Sequence, residues 1–242
     1  MKNYWFFILV LIIAGCSSDP EGSIEEIFSS SEYFPLEEGA TSSYKITEVI
    51  YRGAGSIRDT LTSFYQERVN GTTQDGVGNL LFIIDRYTRP NAEANWEYIN
   101  SWFAQIVENQ VIRIEENKKF IKLKLPEVPD AQWDGNALFD DTATLEIGNE
   151  EIDYFKNWNS KMTSFGQSGR VNEISFQDVH TITLADHENR LEIRSGIEQY
   201  ARGYGLIYKK LMILDTQCFD QCANIPWEEK AERGHIFIQE IL

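Results

Sequence analysis

Apolar and polar side chains alternate with period two from residue 42 onward, the pattern of half-buried β-strands. It is clearest in Phe120-Ile121-Lys122-Leu123-Lys124-Leu125, where Ile121, Leu123 and Leu125 share one face and Lys122 and Lys124 the other. Val111-Ile112-Arg113-Ile114-Glu115 alternates likewise, and the polar Glu116-Asn117-Lys118-Lys119 between them predicts a hairpin turn. The same pattern predicts strands over residues 44–51, 60–69, 80–88, 96–107, 144–147, 174–184, 191–200, 206–214 and 236–242. Turn chemistry separates them at Gly53-Ala54-Gly55, Asn70-Gly71, Asp75-Gly76 and Arg89-Pro90-Asn91. Helix is scarce: residues 21–30 could hold one or two turns, and residues 150–158 are ambiguous. No βαβ rhythm is present. So many short strands in succession predict an all-β antiparallel meander that protects its edges by closing into a barrel or curved half-barrel, with a β-sandwich as the alternative.

The N-terminus carries a different pattern. Lys2 precedes an apolar run over residues 4–13, too short to span a bilayer, and Ala14-Gly15 follow. That is a secretory signal rather than a retained transmembrane helix. The ending Ile13-Ala14-Gly15-Cys16 resembles the lipobox of bacterial lipoproteins. The resemblance implies diacylglyceryl transfer to the Cys16 sulfur, cleavage before it, and membrane attachment through two or three acyl chains. Ser17-Ser18-Asp19-Pro20-Glu21-Gly22-Ser23 then reads as a flexible tether. The domain expectation follows: residues 1–15 signal peptide, 16–31 lipidated cysteine and tether, and 32–242 a single β domain.

Composition narrows the partners. Thirty-eight acidic against 22 basic residues give a formal net charge of -16. This excludes nucleic acid, whose phosphates require clustered Lys and Arg, and any membrane contact is expected through Cys16 alone. With Cys16 acylated, Cys218 and Cys222 remain. In an oxidising compartment they are most simply a disulfide; a zinc site recruiting His235 would lack a second cysteine pair.

Catalytic signatures are near misses. Gly166-Gln167-Ser168-Gly169-Arg170 lacks the last glycine and the strand–turn–helix setting of a nucleophile elbow, and reads as a flexible loop. Asp178 and His180 share a strand face and could be a base with its orienter, but no nucleophile accompanies them. Asp134, Asn136, Asp140 and Asp141 gather oxygen ligands without EF-hand spacing, so turns with solvated acids are expected and no metal or cofactor is assigned. Trp96, Tyr98 and Trp102 fall on one face of a predicted strand. Such a stripe can be core, or it can line a pocket that takes a sugar ring or a lipophilic ligand.

Two segments carry a family resemblance. Tyr33-Phe34-Pro35-Leu36-Glu37-Glu38-Gly39-Ala40 with Tyr44, and Tyr200-Ala201-Arg202-Gly203-Tyr204-Gly205-Leu206-Ile207-Tyr208, are similar to segments of uncharacterised Bacteroidetes cell-envelope lipoproteins. Trp133-Asp134-Gly135-Asn136 fits the same pattern. The resemblance implies a lipoprotein anchored in the outer membrane and carries over no catalytic residues. The expectation is therefore a non-enzymatic envelope protein whose curved sheet binds a hydrophobic ligand or acyl chain. The alternatives are a module docking on another envelope protein and, further off, a glycan or ester hydrolase.

Overall fold

The computed structural model describes residues 32–242; the signal, Cys16 and the tether lie outside the described residues. The strands are β1 Thr41–Arg52, β2 Ile57–Gln74, β3 Leu80–Arg89, β4 Glu97–Val107, β5 Gln110–Glu115, β6 Lys118–Lys124 and β7 Gln132–Trp133. They continue as β8 Leu145–Ile147, β9 Glu150–Ile152, β10 Trp158–Val171, β11 Ile174–Glu188, β12 Glu192–Ala201, β13 Gly205–Asp215 and β14 Arg233–Ile241. A single-turn helix, α1 Trp227–Lys230, lies between β13 and β14.

Twelve strands form one antiparallel sheet in the order β6-β5-β4-β3-β2-β1-β14-β13-β12-β11-β10-β7, and β8 and β9 form a separate hairpin. Two meanders are thus joined where the chain's first and last strands meet, with Tyr44 opposite Ile241 and Tyr51 opposite Gly234. Strand twist accumulated over so many strands curls the sheet into a half-barrel. Among the described residues no ladder closes it. Its two ends approach through two bonds: the Ile121 amide donates to the Gly135 carbonyl (2.8 Å), and the Trp133 indole donates to the Ile121 carbonyl (2.8 Å).

Local chemistry sets the connections. Glu108-Asn109, Glu116-Asn117 and Gly148-Asn149 each have two successive positive φ angles, the two-residue turn that matches strand twist. Asn70-Gly71, expected as a turn, is instead a bulge inside β2, where the register slips between Val69 and Thr72 and Gly71 takes φ +111°. Gly166 to Arg170, expected as a loop, runs inside β10, irregularly paired to β11 with several register shifts. Gly234 has φ +109°, and a Cβ there would stand 2.0 Å from the Ile213 carbonyl oxygen.

Three apolar clusters hold the fold. The largest includes Val69, Phe82, Ile84, Leu123, Trp133, Ile152, Phe155, Met162 and Leu211. A second gathers Tyr44, Ile46, Val179 and Ile207, and a third seats Trp227 of α1 on Tyr51, Leu214 and Ile236. Residues 32–40 strap one end of the half-barrel: Tyr33, Phe34 and Leu36 are buried, and Ala40 accepts from the Val69 amide.

Candidate functional site

The interior holds a chain of alternating charges. Cross-strand register places Arg86 opposite Glu67 and Lys209 opposite Glu198. From Arg86 the contacts run to Glu67 (3.4 Å) and then to Arg113, which the Glu67 carboxylate also receives. Arg113 continues to Glu115 (3.1 Å), Glu115 to Lys122 (3.4 Å), and Lys122 to Glu198 (3.1 Å). Lys209 closes the chain on the same Glu198 oxygen at 3.1 Å, while the Tyr200 hydroxyl donates to the other at 2.6 Å. The Lys122–Glu198 contact crosses the barrel, from the edge strand β6 to β12.

Glu198, Glu115 and Lys122 are held ionised. Burial pushes the Glu198 carboxyl up, but Lys122, Lys209 and the Tyr200 hydroxyl outweigh it and hold it well below the usual carboxylate range. Burial likewise raises Glu115, and Lys122 and Arg113 bring it below its ordinary value. Lys122 is pulled down by burial and pushed above its ordinary value by Glu115 and Glu198.

These groups line a cavity of about 290 Å³, whose wall also carries Tyr65, Trp102, Tyr154, His235 and Glu48. His235 bridges Glu48 and Tyr154, with Nδ1 2.5 Å from Glu48 Oε1 and Nε2 3.2 Å from the Tyr154 hydroxyl. A second compartment of about 190 Å³ adjoins it, sharing Trp102, Glu115, Lys122, Tyr154, Lys209 and Leu211. Its remaining wall holds three aromatic rings, Phe120, Phe155 and Trp158, beside Leu145, Glu116 and Lys118, with Phe120–Phe155 centroids 5.7 Å apart and Phe155–Trp158 5.4 Å apart. An ionic compartment and one with three aromatic rings therefore share part of their walls.

Of the three aromatic residues singled out in the sequence, Trp102 lines both compartments. The Arg86 guanidinium lies 3.4 Å and that of Arg113 4.8 Å from its ring centroid, and its indole donates to Glu116 (3.2 Å). Trp96 and Tyr98 do not join it. Trp96 precedes β4 and stacks with Arg89 at 4.3 Å. A register slip between Arg86 and Tyr87 sets Tyr98 opposite Tyr87, 59% exposed and bonded to Ser101. The bulge at Ile99 breaks the period-two stripe. Lys122, on the polar side of the alternation, is buried inside against Glu198, while Lys124 of the same side is exposed.

The other singled-out residues serve local structure. Asp178 accepts from Arg202 Nε (2.7 Å), while His180 is sandwiched between Tyr33 (3.7 Å) and Phe165 (4.3 Å) and accepts the Gly166 amide on Nδ1. Burial lowers the His180 pKa, so the ring is neutral. Asp134 and Asp140 cap turns at Asn136 and Thr142. Cys218 and Cys222 form a disulfide, Cα atoms 5.6 Å apart, and His235 lies away from it in the cavity.

No family model matches the chain, and no curated protein matches it. It is similar to the solved structure of a candidate lipoprotein from Parabacteroides distasonis ATCC 8503, at 9% identity and TM-score 0.35, over 86% of this chain and 96% of that one. It is also similar to that of a candidate exported protein with YmcC-like fold from Bacteroides fragilis NCTC 9343, at 11% identity and TM-score 0.32, over 86% and 98%. Neither likeness is close enough to carry function.

Proposed function

We propose that this is an exported, lipid-anchored envelope protein that binds rather than transforms its ligand, and that the ligand is a small saccharide held inside the half-barrel. The anchor rests on Cys16 in its lipobox setting. The ligand class rests on one observation: a cluster of tilted aromatic rings and a rail of fixed charges line adjoining compartments that have Trp102 and Lys209 in common. A sugar ring offers an apolar face for the aromatics and hydroxyls for the carboxylates and ammoniums. The volume of the polar compartment, about 290 Å³, falls just below the roughly 300–1,000 Å³ usual for ligand pockets, which restricts the ligand to a small one. The hydrophobic ligand expected from sequence fits this chemistry poorly, because an acyl chain would strip water from ionised groups and offer them no hydrogen bond.

Titration of the full-length protein with mono- and oligosaccharides, followed by calorimetry, tests the proposal. Saccharide binding that Trp102→Ala abolishes supports it. A stoichiometric fatty acid or phospholipid retained through purification, with no saccharide uptake, overturns it in favour of a lipid carrier. The anchor is tested separately: Cys16→Ser should move the protein from the membrane fraction to the soluble one. A docking role has its own support in β2, where β3 pairs only from Phe64 onward and Leu61 is 54% exposed, leaving an edge over residues 57–63 for a partner strand.

A further inference from the structure

Strand β2 outruns its neighbour on one side. From Ile57 to Arg68 it pairs in unbroken register with β1, Ile57 opposite Arg52 and Arg68 opposite Thr41. On its other side β3 ends at Arg89, opposite Phe64. Residues 57–63 therefore present an edge of backbone donors and acceptors that no other strand takes up among the described residues. Such edges are usually protected by bulges, Pro, Lys or an inward charge. β10 follows that rule: β7 pairs only with Ser160 and Lys161, and the strand beyond is broken by register shifts and by Gly166 and Gly169. The β2 edge lacks bulge, Pro and Lys, and its one acid, Asp59, is paired with Arg52 (3.1 Å). It also leaves Ile57 41% and Leu61 54% exposed.

The segment Ile57-Arg58-Asp59-Thr60-Leu61-Thr62-Ser63 is complementary to itself. In an antiparallel pairing about a two-fold axis at Thr60, Thr60 faces Thr60 of the second copy, a favourable cross-strand pair, and Arg58 faces Thr62. Ile57 and Leu61 share the other face, where each lies diagonal to the second copy's Leu61 or Ile57, so four exposed apolar side chains cover one another. The two Asp59 carboxylates come diagonal as well, each with its own Arg52. A hollow of about 430 Å³, bounded by Ile50, Arg52, Leu61 and the Gly148–Asn149 turn, leaves room on this face.

Going beyond the saccharide reading and resting on the docking role of the β2 edge, we infer that the strand occupying this edge is residues 57–63 of a second copy, so that two half-barrels join through one continuous sheet. A two-fold pairing uses both free edges at once, and association stops at two. The net charge of -16 on each chain does not forbid it, because surface charges are screened over about 8 Å at physiological salt. The contact is small, so the dimer is expected where copies are concentrated, as an anchor on Cys16 would hold them.

Disulfide trapping tests the register in intact cells making the full-length protein. Directly opposite residues of an antiparallel pair lie about 4.5–5.5 Å apart, within the roughly 7 Å that a disulfide spans. Thr60→Cys should therefore give a cross-linked product of twice the chain mass under mild oxidant. Thr62→Cys, about 13 Å from its equivalent, and Val77→Cys, on the 85% exposed tip of the β2–β3 turn, should give at least tenfold less. Leu61→Asp, added to Thr60→Cys, sets like charges opposite Asp59 and should cut the trapped fraction severalfold. Circular dichroism of the purified variants shows that the sheet is intact. Equal trapping at all three positions, or none at Thr60, overturns the inference. A thiol-anchored photolabel on the Thr60→Cys protein then decides the docking reading. Capture of a different protein leaves that reading standing, and capture of nothing overturns both.

Discussion

Glu198→Gln is the sharpest perturbation the interior offers. The side chain is 1% exposed and joins two ammoniums, each 3.1 Å from Oε1. At an effective dielectric of about 20, unit charges at that separation attract by roughly 5 kcal/mol each before desolvation is subtracted. Removing one partner of a buried ion pair costs about 3–5 kcal/mol, because the other charge is left without its counterion. Two features place this site at the lower end. Lys122 keeps Glu115 at 3.4 Å, and Lys209 can turn toward water. Glutamine, moreover, retains an acceptor for the Tyr200 hydroxyl. The expected loss is about 3 kcal/mol, which for a chain of this size lowers Tm by roughly 6–12 °C. Urea unfolding followed by far-ultraviolet circular dichroism and tryptophan fluorescence measures it, with an unchanged m-value confirming that the native state stays compact. Glu173→Gln, at the exposed Arg170–Glu173 pair, serves as the control and should show no measurable change. A loss below about 1 kcal/mol at Glu198 would put the interior pair in the class of surface pairs and refute the claim that it is buried and structurally coupled.

Three further outcomes follow from the same geometry. The folded-state pKa of Glu198 and that of Glu115 are depressed, so their contribution is fully present above the unfolded value of about 4.3 and is lost as pH falls through the folded values; stability should drop from about pH 5 downward, with a shallower slope in Glu198→Gln. Gly234→Ala forces a positive-φ alanine whose Cβ meets the Ile213 carbonyl, and should cost about 2–3 kcal/mol or abolish the folded product, read by the yield of soluble protein and by urea midpoint. Reducing the Cys218–Cys222 disulfide frees a loop with a sequence separation of only 4, so the loss measured by parallel urea curves with and without reductant should not exceed about 2 kcal/mol.

The strands were legible because a half-barrel buries alternate residues. Residues 80–88, 174–184 and 206–214 announce β3, β11 and β13 to within a few positions at each end. β10 was not legible. Its sequence Trp158-Asn159-Ser160-Lys161-Met162-Thr163-Ser164-Phe165-Gly166 has little apolar alternation, and it is a strand because β11 pairs along it through repeated register shifts. The candidate site was legible only at Trp102. Alternation reports which residues share a face and leaves open whether the polar face looks out to solvent or in to a cavity. At Arg113 and Lys122 it looks in. Bulges erase even the shared face, as Ile99 does between Tyr98 and Trp102. Pairings such as Lys122 with Glu198 lie 76 residues apart and leave no local signal at all.

Incomplete closure of the sheet and the charged interior have one physical explanation. A barrel closed by a full ladder would protect both of its edges and could fill its centre with apolar side chains, whereas here β6 meets β7 and the segment after it through two hydrogen bonds among the described residues. The Lys122–Glu198 contact ties the same edge strand to the opposite wall, so the ionic chain supplies part of the cross-linking that the missing ladder would give. An ionic tie in a wet cavity can exchange partners in a way that a packed core cannot.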